Sequence, residues 1–150
     1  MTAGTSAVPL PKRASAQPGG WVGELLFSPC GRYLAAPTAD GPVHVFYSAG
    51  LVPHSLLDGH FPGTTTTSWR HDGERLATGG QDGGVAIWET VSGRLLHRVP
   101  CGGWVARVAW KPGEDLLAVA AGRFLQLRDG DGGLVRTFTE HPSTVADLAF

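Results

Sequence analysis

His60 and Asp82 are the residues in this chain best suited to proton chemistry. An imidazole beside a carboxylate can exchange a proton near neutral pH, with the carboxylate holding the ring in place. A hydrolytic or transfer reaction would also need a nucleophile, a metal or a cofactor cradle. The chain has no nucleophile elbow, phosphate-binding loop or dinucleotide fingerprint. Its histidines (His44, His54, His60, His71, His97 and His141) lack the close spacing of a zinc site, and neither Cys30 nor Cys101 has a C-x-x-C partner. The sequence therefore implies no metal and no cofactor. The remaining chemistry is recognition, for which the exposed-side candidates are tryptophans.

The elements that must position these residues are short strands. "HDGERLATGGQDGGVAIWE", residues 71–89, contains two Asp-Gly steps ten residues apart. Asp-Gly favours tight turns, because glycine accepts positive φ freely and aspartate bonds its own backbone. In "GVAIWE" the β-branched Val85 and Ile87 alternate with Ala86 and Trp88, a period near 2. No stretch between the glycines is long enough to nucleate a helix. The segment reads as strand, turn, strand, turn, strand.

That unit recurs. "LLFSPCGRYLAA", "TSWRHDGERLAT" and "VAWKPGEDLLAV" superpose without gaps, and the aromatic falls at Phe27, Trp69, Trp110 and Phe150, at intervals of 42, 41 and 40 residues. Short strands at a period of roughly 40–45 residues point to a β-propeller with one four-stranded blade per repeat. The expected fold is all-β, an arc of about three four-stranded antiparallel blades in an incomplete ring. Residues 1–20 form a leader, 21–60, 61–102 and 103–141 the three repeats, and 142–150 the first strand of a fourth.

The pattern resembles WD repeats. "DGH" at 58–60 opens the middle repeat, "QDGG" at 81–84 is its second turn and "IWE" at 87–89 its close. The likeness covers about residues 20–150. It implies that a His, a Ser or Thr, the turn Asp and the Trp form a hydrogen-bonded network that locks a blade. Carried over, the middle repeat supplies His60, Asp82 and Trp88. Gly80 stands where the hydroxyl residue is usual, and Thr78 lies one turn of the pleat away. The first repeat has Thr38 and Asp40 but Phe46 for Trp and no upstream His, and the third has Arg128 in the Trp position. The resemblance thus accounts for His60 and Asp82 without catalysis, and the chain is read as a non-enzyme.

In such propellers partners dock on the face made by the loops before the first strand and between the second and third. Trp21 and Trp104 each stand six residues before a repeat aromatic, with Gly63 at that place in the middle repeat. They are either interface anchors, for which Trp is favoured, or rings packed between blades. Ala39 and Gln81, just before the turn aspartates, are the other face positions. The function implied is a scaffold for binding other proteins. Alternatives are a propeller that binds or turns over a small molecule, quinoprotein-like or lyase-like, or a truncated product without independent activity. A small-molecule site would converge charges on the axis, where the first strands offer only Glu24 and Arg107, with no repeat-matched partner.

Net charge is −1 with both signs interspersed, so nucleic acid is not an expected partner, and no apolar run approaches a membrane helix. The leader is rich in Ala, Pro, Ser and Gly, reads as flexible, and lacks the apolar region of a secretory signal. Cys30 and Cys101 fall in loops at opposite ends of the blades and should stay unbridged. A reducing cytoplasm is the expected location, with the nucleus left open. Three repeats plus one strand suggest part of a longer propeller, and an open arc bares two blade faces through which copies can self-associate.

Overall fold

The computed structural model describes residues 14–138 and 140–150. Twelve strands form three four-stranded antiparallel sheets, each a simple meander. The first blade comprises β1 (Leu26–Phe27), β2 (Tyr33–Pro37), β3 (Val43–Tyr47) and β4 (Val52–Leu57). The second comprises β5 (Thr64–Trp69), β6 (Arg75–Gly80), β7 (Gly84–Glu89) and β8 (Leu95–Pro100). The third comprises β9 (Val105–Trp110), β10 (Leu116–Ala121), β11 (Phe124–Asp129) and β12 (Leu134–Thr137). The described residues contain no helix and do not close a ring.

The repeat grammar is visible in the first hairpin of each blade. It turns on a glycine with positive φ, at Gly31 (71°), Gly73 (74°) and Gly113 (75°). That conformation is nearly free for glycine and costly for residues with a Cβ. Equivalent backbone bonds close the three turns, from Ser28 N to Tyr33 O, Arg70 N to Arg75 O and Lys111 N to Leu116 O, at 2.8–2.9 Å.

Strand register sends alternate residues of the middle blade to opposite neighbours. The directly opposed pairs Leu76–Trp88 and Thr78–Ala86 lie on one face, and Ala77–Ile87 and Gly79–Val85 on the other. Leu76, Ala86 and Trp88 join Tyr33, Ala35, Val43 and Val45 in one buried cluster. Ala77, Val85 and Ile87 join Val108, Leu117 and Val119 in a second. Each fully buried aliphatic side chain contributes about 1.5–3 kcal/mol relative to exposure, so the core is two interblade layers.

Two segments differ from the sequence-based expectation. Residues 142–150 form no strand. A lone strand without the rest of its blade has no ladder to join, and this one is held by Val145 N–H bonding Gly122 O at 2.9 Å and by an ion pair at Asp147. At the other end, residues 1–13 of the expected leader lie outside the described residues. Its remainder runs beside the first blade, with Ala14, Ala16, Pro18 and Gly20 half-buried and Ser15, Gln17 and Gly19 exposed.

Candidate functional site

His60 sits in the loop between β4 and β5, Thr78 on β6, Asp82 in the β6–β7 turn and Trp88 on β7. The structure brings all four together. His60 Nδ1 lies 2.9 Å from Asp82 Oδ1, His60 Nε2 lies 2.8 Å from Thr78 Oγ1, and Trp88 Nε1–H donates to Thr78 Oγ1 at 3.0 Å. The hydrogens follow from the partners. A carboxylate only accepts and an indole only donates, so Nδ1 carries the imidazole proton and the Thr78 hydroxyl donates to Nε2.

The hydroxyl therefore comes from Thr78, and Gly80 has another role. A Cβ at Gly80 would lie 2.5 Å from the His60 ring, and one at Gly59 would lie 2.5 Å from Trp88 Cζ2. These two glycines let loop and strand close on the rings. The network is buried, with His60 at 5%, Thr78 at 0% and Trp88 at 5% exposure.

Asp82 is the solvent-facing end of the network. Its Oδ1 also accepts from Gly84 N at 3.1 Å, and Oδ2 pairs with Arg98, whose guanidinium also donates to Gly59 O. Burial works against the carboxylate, but the hydrogen bonds from His60 and Gly84 and the nearby Arg98 charge outweigh it. Its pKa lies below the ordinary aspartate value. Both His60 nitrogens are occupied, and the side chain is 1% exposed. It has no free atom with which to take a substrate proton.

Asp40 and Thr38, the first-blade counterparts, do not form this network. Asp40 is exposed, Thr38 Oγ1 donates to Pro42 O at 2.7 Å, and Gly20 lies against both side chains. In the third blade Arg128 is buried, bonding Gly132 O at 2.8 Å, Gln126 Oε1 at 2.7 Å and Pro100 O of the second blade at 3.2 Å.

The loop face carries the tryptophans. Trp21 is 78% exposed and Trp104 59%, so neither ring is packed between blades among the described residues. Their backbones are fixed in equivalent ways. Trp21 O accepts from Ala39 N at 3.0 Å, Gly63 O from Gln81 N at 3.4 Å, and Trp104 O from Gly122 N at 2.9 Å. Ala39 and Gln81 are themselves exposed. Sequence reasoning missed Phe61, 86% exposed in the same loop set as Gly63. The signal was an apolar residue between the "DGH" turn and the strand.

The axis also departs from expectation. Glu24, Arg107 and Asp147 each stand three residues before a repeat aromatic, so the positions are repeat-matched. Arg107 lies 3.5 Å from Glu24 Oε2 and 3.3 Å from Asp147 Oδ1. Glu24 Oε1 also accepts from Thr67 N at 2.9 Å and Thr67 Oγ1 at 3.0 Å. The partners were missed because they are separated by two repeats and by one.

Comparison with known proteins agrees with this architecture. Residues 63–111 match a family model for the anaphase-promoting complex subunit 4 WD40 domain. The chain is 30% identical over 115 residues to THO complex subunit 3 of Arabidopsis thaliana, covering 76% of this chain and 36% of that protein. It is 37% identical over 86 residues to a ribosome biogenesis protein BOP1 homolog of Aedes aegypti, covering 54% of this chain and 10% of that protein. It superposes on the RRP9 WD40 repeats with a TM-score of 0.80 at 17% identity, covering 86% of this chain and 42% of that one. The fold is that of WD40 propeller blades. The chain is built of WD repeats, three of which form blades among the described residues, and it spans about a third or less of the two named relatives.

Proposed function

We propose that this chain is a non-enzymatic scaffold that binds other proteins through its loop face. The observation that carries the reading is the exposure of Trp21 and Trp104 on backbones pinned by the neighbouring turns. Rigid, solvent-facing indoles give large contact area at small entropic cost, as interface hot spots require. Phe61 extends the rim, and Ala39 and Gln81 complete it. The match to WD-repeat families supports protein partners, and the closed His60 network speaks against proton chemistry. Both cysteines are free, which supports a reducing compartment such as the cytoplasm.

The test places a photo-crosslinking residue at Gln81 on the loop face and, as control, at the exposed Val91 on the opposite end. Specific partners crosslinked at Gln81, lost on Trp21→Ala with Trp104→Ala and absent at Val91, are the expected result. Equal crosslinking at both ends, indifferent to the tryptophans, overturns the proposal.

A further inference from the structure

The turn aspartates of the first two blades match in position and differ in what holds them. The Asp82 carboxylate is fully engaged, by His60, by Gly84 N and by Arg98. Asp40 is exposed, and among the described residues its carboxylate has no hydrogen-bond or ion-pair partner. Its blade lacks the His and Trp of the network, and Thr38 Oγ1 is committed to Pro42 O.

Asp40 lies where the first blade meets the second. Thr64 N donates to Thr38 O at 3.3 Å, and Thr64 Oγ1 to Gly41 O at 3.4 Å. Gly63 is pressed against the same turn, where a Cβ would lie 2.0 Å from Ala39 O and 2.8 Å from Asp40 N. Two residues before Gly63 stands Phe61, 86% exposed. Both blades of this junction are described, so the ring is open in a complete blade pair. The loop that carries it is fixed on either side, at Gly59 by the Arg98 guanidinium and at Gly63 by the first-blade turn. An open phenyl ring and an unpaired carboxylate therefore stand on adjoining, well-held backbones. Asp58, exposed three residues before Phe61, adds to the negative field.

We propose that Asp40 and Phe61 form a subsite for an arginine side chain of a protein partner. The subsite rests on the loop-face reading and narrows it to the chemistry of the partner. A guanidinium is planar, so it can stack on an aromatic face and fork onto a carboxylate, which a compact ammonium cannot do as well. An acidic side chain would be repelled by Asp40, and an aliphatic one would gain nothing from it. The junction between the second and third blades presents the exposed Trp104, but its turn carboxylate is already neutralised by Arg98. The cation is therefore read at the first junction and not at the second.

The experiment passes degenerate nonapeptide libraries, identical except for a fixed central Arg, Lys, citrulline or Glu, over the immobilised full chain. The arginine library should be retained best, and citrulline, which keeps the shape and loses the charge, about as poorly as Glu. Asp40→Asn and Phe61→Ala should each reduce arginine retention about fivefold, the scale of one exposed ion pair or cation–π contact. Glu74→Gln, at the opposite end of the second blade, should leave it unchanged. Arginine retained no better than citrulline, lysine retained equally well, or a preference that survives Asp40→Asn overturns the subsite. In each of those cases, crosslinking at Gln81 that still depends on Trp21 and Trp104 leaves the scaffold reading standing, so the two fail separately. Retained exchange protection of the Thr78 amide in both site variants excludes unfolding as the cause of any loss.

Discussion

Trp88 and Arg128 occupy the same place in consecutive blades and are bonded in opposite senses. Trp88 donates to Thr78 of its own blade at 3.0 Å, whereas Arg128 reaches across to Pro100 O of the preceding blade at 3.2 Å. The second blade is tied internally, and the third is tied to its neighbour. Arg128→Leu leaves the Gly132 and Pro100 carbonyls short of a donor and should cost about 1–3 kcal/mol. Arg94→Leu, on an exposed side chain, should stay within roughly 0.5 kcal/mol. Urea denaturation of both variants measures the difference, and equal losses would refute the role given to Arg128.

Asp82 and Asp40 provide a second ranking. Asp82→Ala strips His60 and Arg98 of their acceptor and should cost about 1–3 kcal/mol. Asp40→Ala should cost less, because Asp40 is exposed and outside any such network. A loss at Asp40 equal to or above that at Asp82 would contradict the network.

The same carboxylate sets a pH dependence. Its pKa is lower in the folded state than in the unfolded chain, so the native protein binds that proton less readily. Its stabilisation is complete above the unfolded value of about 3.9 and is lost as pH falls through the native one. The stability difference between parent and Asp82→Asn should therefore be constant near neutrality and shrink below about pH 4. A difference that grows on acidification would reverse the assignment.

The thiols should differ sharply in reactivity. The Ser28 hydroxyl bonds Cys30 Sγ at 3.3 Å, and with the Arg32 backbone and guanidinium it brings the Cys30 pKa down to about 7. Burial pushes the Cys101 thiol up. In the folded protein slightly above neutral pH, iodoacetamide should label Cys30 first, with a rate rising through a midpoint near 7 and displaced upward by Ser28→Ala. Peptide mass spectrometry reads the order; Cys101 labelling first, or an intramolecular disulfide, would count against the structure at both sites.

Arg107 supplies a further test. Arg107→Gln removes one cation from between Glu24 and Asp147. Its side chain is 42% exposed, so solvent screens the pairs and global stability should fall by less than about 1 kcal/mol. The effect should be local, with faster hydrogen exchange over residues 142–150 and unchanged exchange in the middle blade. No change at the C-terminal segment would show that Val145 alone holds it.

The features legible in the sequence were those with a local cause. The blade hairpins are written in Gly31, Gly73 and Gly113 and the strand faces in alternations such as Val85 to Trp88, because turn chemistry and period 2 act over a few residues. His60, Asp82 and Trp88 were legible through the repeat pattern. Spacing alone does not choose between Thr78 and the position of Gly80, because the packing of the imidazole against a backbone is set in three dimensions. Arg107 with Asp147 and Arg98 with Asp82 carry no local signal. Each depends on where distant turns of the chain come to rest.

The two-sided burial of the middle blade gives the chain a gradient of persistence. Leu76 and Trp88 lean on the first blade, while Val85 and Ile87 lean on the third. Among the described residues the first and third blades are each buried in this way on one side, so in a nearest-neighbour account the middle blade is the last of these three to open. A protease acting on rare openings would cut β5 to β8 last among these three blades.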